Sequence, residues 1–169
     1  MKIAVRKATV DEYNIFCDLI DDVDSLHRDN LPLIFKKPNG PVRELDYFLG
    51  LISDENIGLF VAETEGIVVG FVHAILKDSP DIPIFVPRYF AVVDNIVVKP
   101  GFQNHGIGEL LMDKMQEWSI AKGATSIELN VYEFNSNAIS FYARCGYKTL
   151  SRKMNKKIGM METSCLGKY

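Results

Sequence analysis

The segment Phe102-Gln103-Asn104-His105-Gly106-Ile107-Gly108-Glu109-Leu110-Leu111 places two glycines one residue apart, between a strand-like run and a helical one. Tyr89 to Val98 is rich in β-branched and aromatic residues, which predicts a strand. After the glycines, Ile107, Leu111, Met115 and Trp118 follow helical spacing, with Leu110 beside them. A loop at a helix N-terminus offers free backbone N–H groups and the positive end of the helix dipole, a setting that holds phosphate. Gly106 and Gly108 carry no Cβ, so the backbone can curl and approach a bulky anion closely. The alternative is a turn that only lets strand and helix pack. Two other phosphate motifs fit poorly. A P-loop needs Gly-Lys-Ser/Thr, and Gly108 is followed by Glu109. A dinucleotide fingerprint needs a third small residue where Leu111 stands.

The elements that must position this turn can be read outward from it. Lys2 to Arg6 alternates and predicts a short strand. Thr9 opens a helix, with Glu12 completing a capping box and Tyr13, Phe16, Cys17 and Ile20 on its apolar face. Asp18, Asp21, Asp22 and Asp24 crowd its far end, either as a solvated end or as a surface for a cationic substrate. Pro32, Pro38, Gly40 and Pro41 make residues 30–41 a loop or a broken helix. Arg43 to Ile52 is helical again. Leu59 to Glu63 and Ile67 to Leu76 form a hairpin about Thr64-Glu65-Gly66. Pro80, Pro83 and Pro87 mark a long connection or an edge segment. Gly123 stops the helix after the glycine turn, and Thr125 to Val131 is a strand with Ile127, Leu129 and Val131 on one face. Asn135 or Ser136 caps a helix carrying Ala138, Ile139, Phe141 and Tyr142, closed by Gly146. Tyr147 to Lys153 is a candidate last strand, and the remainder reads as a loose tail. Strands mixed with helices, with a strand-helix-strand unit from Tyr89 to Val131, predict an α/β or α+β single domain on one sheet.

Composition bounds the function. The 169 residues suit one domain, and 47% of them are apolar. A formal charge of −3 and the absence of a long basic run argue against nucleic acid as the main partner. The start shows no signal-peptide core, and the longest apolar run, Ile67 to Leu76, is too short for a bilayer. The expectation is therefore a cytoplasmic protein without a membrane partner. Cys17, Cys145 and Cys165 are widely spaced, with no zinc-type pattern, so reduced thiols and no metal are expected.

With these residues in hand a resemblance emerges. Gln103-Asn104-His105-Gly106-Ile107-Gly108 resembles the Gln/Arg-x-x-Gly-x-Gly/Ala signature of the GNAT superfamily of acetyl-coenzyme A-dependent N-acetyltransferases. Residues 61–74 resemble the family's central hairpin, and residues 92–108 its fourth strand and pyrophosphate loop. Residues 135–148 resemble its Asn-x-x-Ala-x-x-Phe/Leu-Tyr-x-x-x-Gly-Phe/Tyr motif, with Tyr147 in place of the commoner Phe. The resemblance covers roughly Ile3 to Met154, which makes residues 1–154 the transferase domain and 155–169 a tail. It implies a GNAT-type mixed central β-sheet with splayed central strands, flanked by helices.

It also implies roles. The loop from Gln103 through Asn104, His105, Gly106 and Ile107 to Gly108 would hold the pyrophosphate of coenzyme A. Ile96, Val97 and Val98 would pair through their backbone with the pantetheine arm. Asn135 would lie near the pantetheine or serve only as a helix cap. Tyr142 would give a proton or a hydrogen bond to the departing thiolate, or else be a core aromatic. Cys145 is read as a packing residue. Many members of the family are dimers, which leaves a homodimer open.

The implied reaction is direct attack of a primary amine on the thioester of acetyl-coenzyme A. An alkyl ammonium has a pKa of about 10.4, so on the order of one molecule in a few thousand is neutral at pH 7. A proton acceptor is needed, together with an N–H aimed at the developing oxyanion; Val98 or Val97 is the candidate donor. Asp94, four residues before Val98, is the candidate base. A free aspartate, with a pKa of about 3.9, is a weak base, so burial or a relay must help. Glu128 is a second candidate, and His73 and His27 are weaker ones. Residues 26–39 and 78–88 would shape the acceptor site, with a small cationic amine favoured over a protein N-terminus or lysine. The competing readings are a non-catalytic acyl-coenzyme A sensor and a nucleotide-binding protein.

Overall fold

The structure, a computed structural model, describes residues 2–156 and 158. Strand β1 spans Ile3–Lys7, β2 Ile57–Thr64, β3 Ile67–Asp78, β4 Tyr89–Val98 and β5 Ile127–Leu129. A 3-10 turn, Val10–Glu12, leads into helix α1, Tyr13–Asn30; α2 is Leu45–Ser53, α3 Ile107–Ala121 and α4 Ser136–Arg144. The five strands form one sheet in chain order, antiparallel from β1 to β4 and parallel between β4 and β5. This is the expected mixed sheet flanked by helices.

Both faces of the sheet are covered, which explains why β2 and β3 read as nearly continuous apolar runs. Period-two alternation sorts β2: Phe60 and Ala62 join the core under α3, and Leu59 and Val61 join the core under α1 and α2. On the first face, the stripe Ile107, Leu111, Met115 and Trp118 of α3 packs on Val72, Ala74, Ala91 and Val93. On the second, Phe16, Leu19 and Ile20 of α1 and Phe48 and Leu51 of α2 pack on Phe71 and Val97. Burying each such side chain contributes roughly 1.5–3 kcal/mol, so the two cores pin the middle strands from both sides.

Three expectations are corrected. The first helix continues to Asn30, because Leu26 extends it and His27 and Arg28 suit its last turn. The four aspartates therefore lie along its middle rather than at its end. Two of them are paired: Arg28 Nη2 lies 2.8 Å from Asp21, and Arg43 Nη1 lies 3.0 Å from Asp24. Strand β5 has three residues rather than the expected seven, because β4 bulges just past its partner residues, and Val131 is left exposed. The described residues from Tyr147 to Lys153 form no strand. Tyr147 packs on the core while Leu150 is 79% exposed, so the segment has no alternating apolar face to bury. Apart from residues 155, 156 and 158, the expected tail and Cys165 lie outside the described residues.

Candidate active site at the open edge of β4

The sheet opens where β4 outruns β5. Strand β5 pairs only with Ala91, Val92 and Val93, whereas β3 follows β4 all the way to Val98. Residues 94–98 thus have one edge on β3 and one edge without a strand among the described residues. The amide of Lys99 donates to the Val69 carbonyl at 2.8 Å. Alternation then turns the Val97 amide toward β3 and the Ile96 and Val98 amides toward the gap. The Val98 carbonyl on that side accepts from Gln103 Nε2 at 3.0 Å, which ties the following loop to the strand end.

The loop itself presents donors. Among the described residues, the amides of Gln103, Asn104, His105, Gly106, Ile107 and Gly108 donate to no protein acceptor; the first helical bond is Leu110 N–H to the Gly106 carbonyl, 3.1 Å. Asn104, at φ +62°, and Gly106, at φ +77°, curl the chain through left-handed backbone. His105 Nδ1 lies 2.7 Å from the Gln103 carbonyl and closes the turn. The two glycines have different duties. A Cβ on Gly106 would find open space, with only Glu109 Oε2 at 3.8 Å. A Cβ on Gly108 would lie 3.1 Å from Cζ of Phe141. Gly106 therefore leaves room beside the amides, and Gly108 lets α4 sit against α3. Gly108 thus fills the packing duty that the sequence left as the alternative, while its amide stays without a protein acceptor among the described residues.

Helix α4 carries the aromatic side of the site. Asn135 caps it, accepting from Ala138 N–H at 3.1 Å through Oδ1, while its Nδ2 has no protein acceptor among the described residues. The Tyr142 ring packs on Phe141 at 5.3 Å and edge-on to Tyr147 at 5.9 Å. Its hydroxyl makes no hydrogen bond to a described residue. Burial, with Cys145 adding to it, pushes the Tyr142 phenol up to about 12, so it holds its proton at neutral pH. Burial, then Glu109 and Asp113, push the Cys145 thiol up as well, which suits a packing residue and not a thiolate nucleophile.

Asp94 lies on β4 where the open edge begins. His73 pairs with Asn95 and Ala74 with Val93, so one step on β3 faces two on β4 and Asp94 is the extra residue of a bulge. Its side chain is 52% exposed, which leaves a relay rather than burial to assist a base there. Asn95 Nδ2 donates to Asp94 Oδ2 at 2.9 Å. Tyr47 of α2 feels this carboxylate: burial first and Asp94 second push its phenol up, partly offset by Arg43. Glu128 is held by Arg88 at 2.7 Å, which engages it outside the splay. His27 sits in a four-ring cluster with Phe35, Tyr132 and Phe134, at centroid distances of 5.2, 5.3 and 5.8 Å. Sequence spacing gave no sign of this cluster, which joins the end of α1 and its loop to the loop between β5 and α4.

The acetyltransferase (GNAT) family model matches residues 20–147. An uncharacterised N-acetyltransferase of Methanocaldococcus jannaschii is 36% identical over 102 residues, 60% of this chain and 44% of that protein. One of Archaeoglobus fulgidus is 35% identical over 98 residues, 58% of this chain and 65% of that protein. The matches thus span less than two thirds of either relative. A solved protein of Bacillus halodurans, crystallised as a tetramutant, has the same fold, with a TM-score of 0.87 and 24% identity; the superposition covers 92% of this chain and 99% of that one.

Proposed function

The chain belongs to the acetyltransferase (GNAT) family, and on that premise we propose that it moves an acetyl group from acetyl-coenzyme A to a primary amine by direct attack, with a small cationic amine as acceptor. The observation that carries this reading is the adjacency of two sets of unused backbone donors: the free amides of residues 103–108 and the unpaired edge of β4 from Asp94 to Val98. Such a surface fits an extended arm that ends in a diphosphate. Residues 1–154 would form the working domain.

Acetyl-coenzyme A supplies the activated acetyl group as a thioester. The residues of the chain do the rest. The amides of Gln103, Asn104, His105, Gly106, Ile107 and Gly108 hold the diphosphate, and Gly106 keeps its approach open. Ile96 and Val98 pair with the pantetheine arm, Val97 packs beneath it, and the free Nδ2 of Asn135 supplies a further donor. The Val98 amide, directed into the gap, polarises the carbonyl; the Val97 amide is turned away from it. Tyr142 hydrogen-bonds to the leaving sulfur. Full proton transfer from a phenol near 12 to a thiolate of pKa about 8.5 is uphill, so donation of a hydrogen bond is its main contribution.

Asp94 attracts the acceptor ammonium and receives its proton through a relay. A carboxylate without a Lys or Arg partner among the described residues, beside the phenol of Tyr47, favours a cation over a neutral amine. Calorimetry with coenzyme A and a thiol-release assay over a panel of amines test the proposal together. Binding with release for polyamines or basic amino-acid derivatives is the expected result. Binding without release for any amine would leave a non-catalytic acyl-coenzyme A sensor. Stabilisation by ATP or NAD and not by coenzyme A would replace both with a nucleotide-binding protein.

A further inference from the structure

Strand β3 buries a histidine. His73 is 1% exposed, and its neighbours Val72 and Ala74 point into the α3-side core. Alternation puts the imidazole on the opposite face, with Phe71. A buried ring nitrogen needs a partner. Nε2 is buried and has none among the described residues. Nδ1 stands 3.7 Å from Asp94 Oδ2, too far for a hydrogen bond but about 0.7 Å from one. Burial pushes the His73 pKa below its ordinary value, only partly offset by Asp94, so the ring is neutral at pH 7 and carries one proton. On Nδ1 that proton faces a carboxylate. On Nε2 it would be a buried donor with no acceptor, the costlier choice.

The carboxylate is divided between two tasks. Oδ2 takes the hydrogen bond from Asn95 and faces His73, while Oδ1 has no protein donor among the described residues. The bulge brings this about, since the extra residue in β4 sets Asp94 and Asn95 against the single His73. Around the pair stand Tyr47 of α2 and Arg43 ahead of it, and Arg43 in turn holds Asp24 of α1.

We infer that His73 is a positioning residue for acetyl transfer: its Nδ1–H, together with Asn95, fixes Oδ2 of Asp94 so that Oδ1 is presented to the acceptor ammonium. The inference rests on the reading of Asp94 as base. A donor on Oδ2 holds the carboxylate in one orientation. Loss of the donor lets it turn, so kcat falls while the KM for acetyl-coenzyme A holds. A merely structural loss disturbs the sheet and raises that KM as well.

Three side chains at position 73 separate these cases. His73→Asn keeps an amide N–H near the place of Nδ1, His73→Gln moves it toward the place of Nε2, and His73→Leu has none. His73→Leu is expected to lower kcat about tenfold and to leave the KM for acetyl-coenzyme A unchanged. His73→Asn is expected to restore most of kcat, and His73→Gln is not. In an Asp94→Asn background, His73→Leu is expected to cost nothing more. An unchanged kcat, equal rescue by Asn and Gln, or a full additional loss in that background overturns the inference. Circular dichroism of each variant checks its fold, and the Asn–Gln comparison stands if the Leu variant does not fold. Nitrogen-15 shifts of the His73 ring in the wild-type protein need no acceptor: a protonated Nδ1 is expected, and a protonated Nε2 overturns the inference whether or not the protein transfers acetyl groups. Failure of the parent reading shows separately, as wild-type protein that binds coenzyme A and releases no thiol.

Discussion

The rings of Tyr142 and Tyr147 meet edge to face, 5.9 Å between centroids, and the Tyr147 amide donates to the Tyr142 carbonyl at 3.0 Å. The contact turns the chain back just after α4 and shields one side of the Tyr142 ring. It orients a phenol that has no hydrogen-bond partner among the described residues.

Tyr142→Phe keeps this packing and removes only the hydroxyl. Turnover is expected to fall about tenfold or more, the scale of a lost proton or hydrogen-bond donor. Calorimetry should find acetyl-coenzyme A binding unchanged. A variant that turns over like the wild type would take Tyr142 out of the chemistry.

Both phenols are raised to about 12, chiefly by burial. A group whose pKa is higher in the folded than in the unfolded chain contributes stability that is lost as pH rises through the folded value. Stability should therefore decline between pH of about 10, where unfolded tyrosines ionise, and pH 12. Urea melts across that range should show a shallower decline in the double variant Tyr142→Phe, Tyr147→Phe.

Substitution separates the duties of the two glycines. Gly106→Val forces a β-branched residue into φ +77° beside the loop amides and should weaken coenzyme A binding. Gly108→Ala places a Cβ 3.1 Å from the Phe141 ring. Overpacking costs about 1–3 kcal/mol and the helix gains about 1 kcal/mol from losing a glycine, so thermal melts should show a net loss of up to about 2 kcal/mol. If Gly106→Val binds the cofactor as tightly as the wild type, the loop does not hold the diphosphate.

Glu109 lies in the first turn of α3, with Oε2 3.8 Å from where a Gly106 Cβ would sit. A carboxylate there opposes an incoming diphosphate. Glu109→Gln should tighten coenzyme A binding by a few-fold, the scale of an exposed charge interaction of about 0.2–1 kcal/mol. The gain should shrink as salt rises. Titration calorimetry at two ionic strengths checks both statements; weaker binding in the variant would mean that the diphosphate lies elsewhere.

Asp94→Asn removes the only charge on the β4 bulge. The rate should fall most near neutral pH, where few acceptor molecules are deprotonated, and recover toward the amine's own pKa of about 10.4. A pH profile parallel to that of the wild type would place the base on another group.

Much of this was legible in the residues. The limits of β4, Tyr89 to Val98, follow from its β-branched and aromatic content, and the start of α3 follows from the stripe Ile107, Leu111, Met115 and Trp118. Asn135 as a helix cap needed only its side-chain type and the apolar run after it. What stayed hidden depended on distance in the chain. Nothing local to Asp94 says that it is an extra residue, because a bulge is a relation between two strands. Nothing local to His73 says that its ring reaches that residue. The role of Gly108 required Phe141, thirty-three positions later. The strand expected after Gly146 failed for a related reason: strand propensity counts only where an edge and a buried face are waiting, and Leu150 found neither.

The extra residue at position 94 works like a frameshift written in backbone rather than in codons. Were the ladder to run on without the bulge and set Asp94 opposite His73, every later contact of the strand would slip by one, turning the Ile96 and Val98 donors toward β3 and carrying Val97 out of its core. The bulge, more than the identity of any side chain on the strand, decides whether the cleft has donors at all.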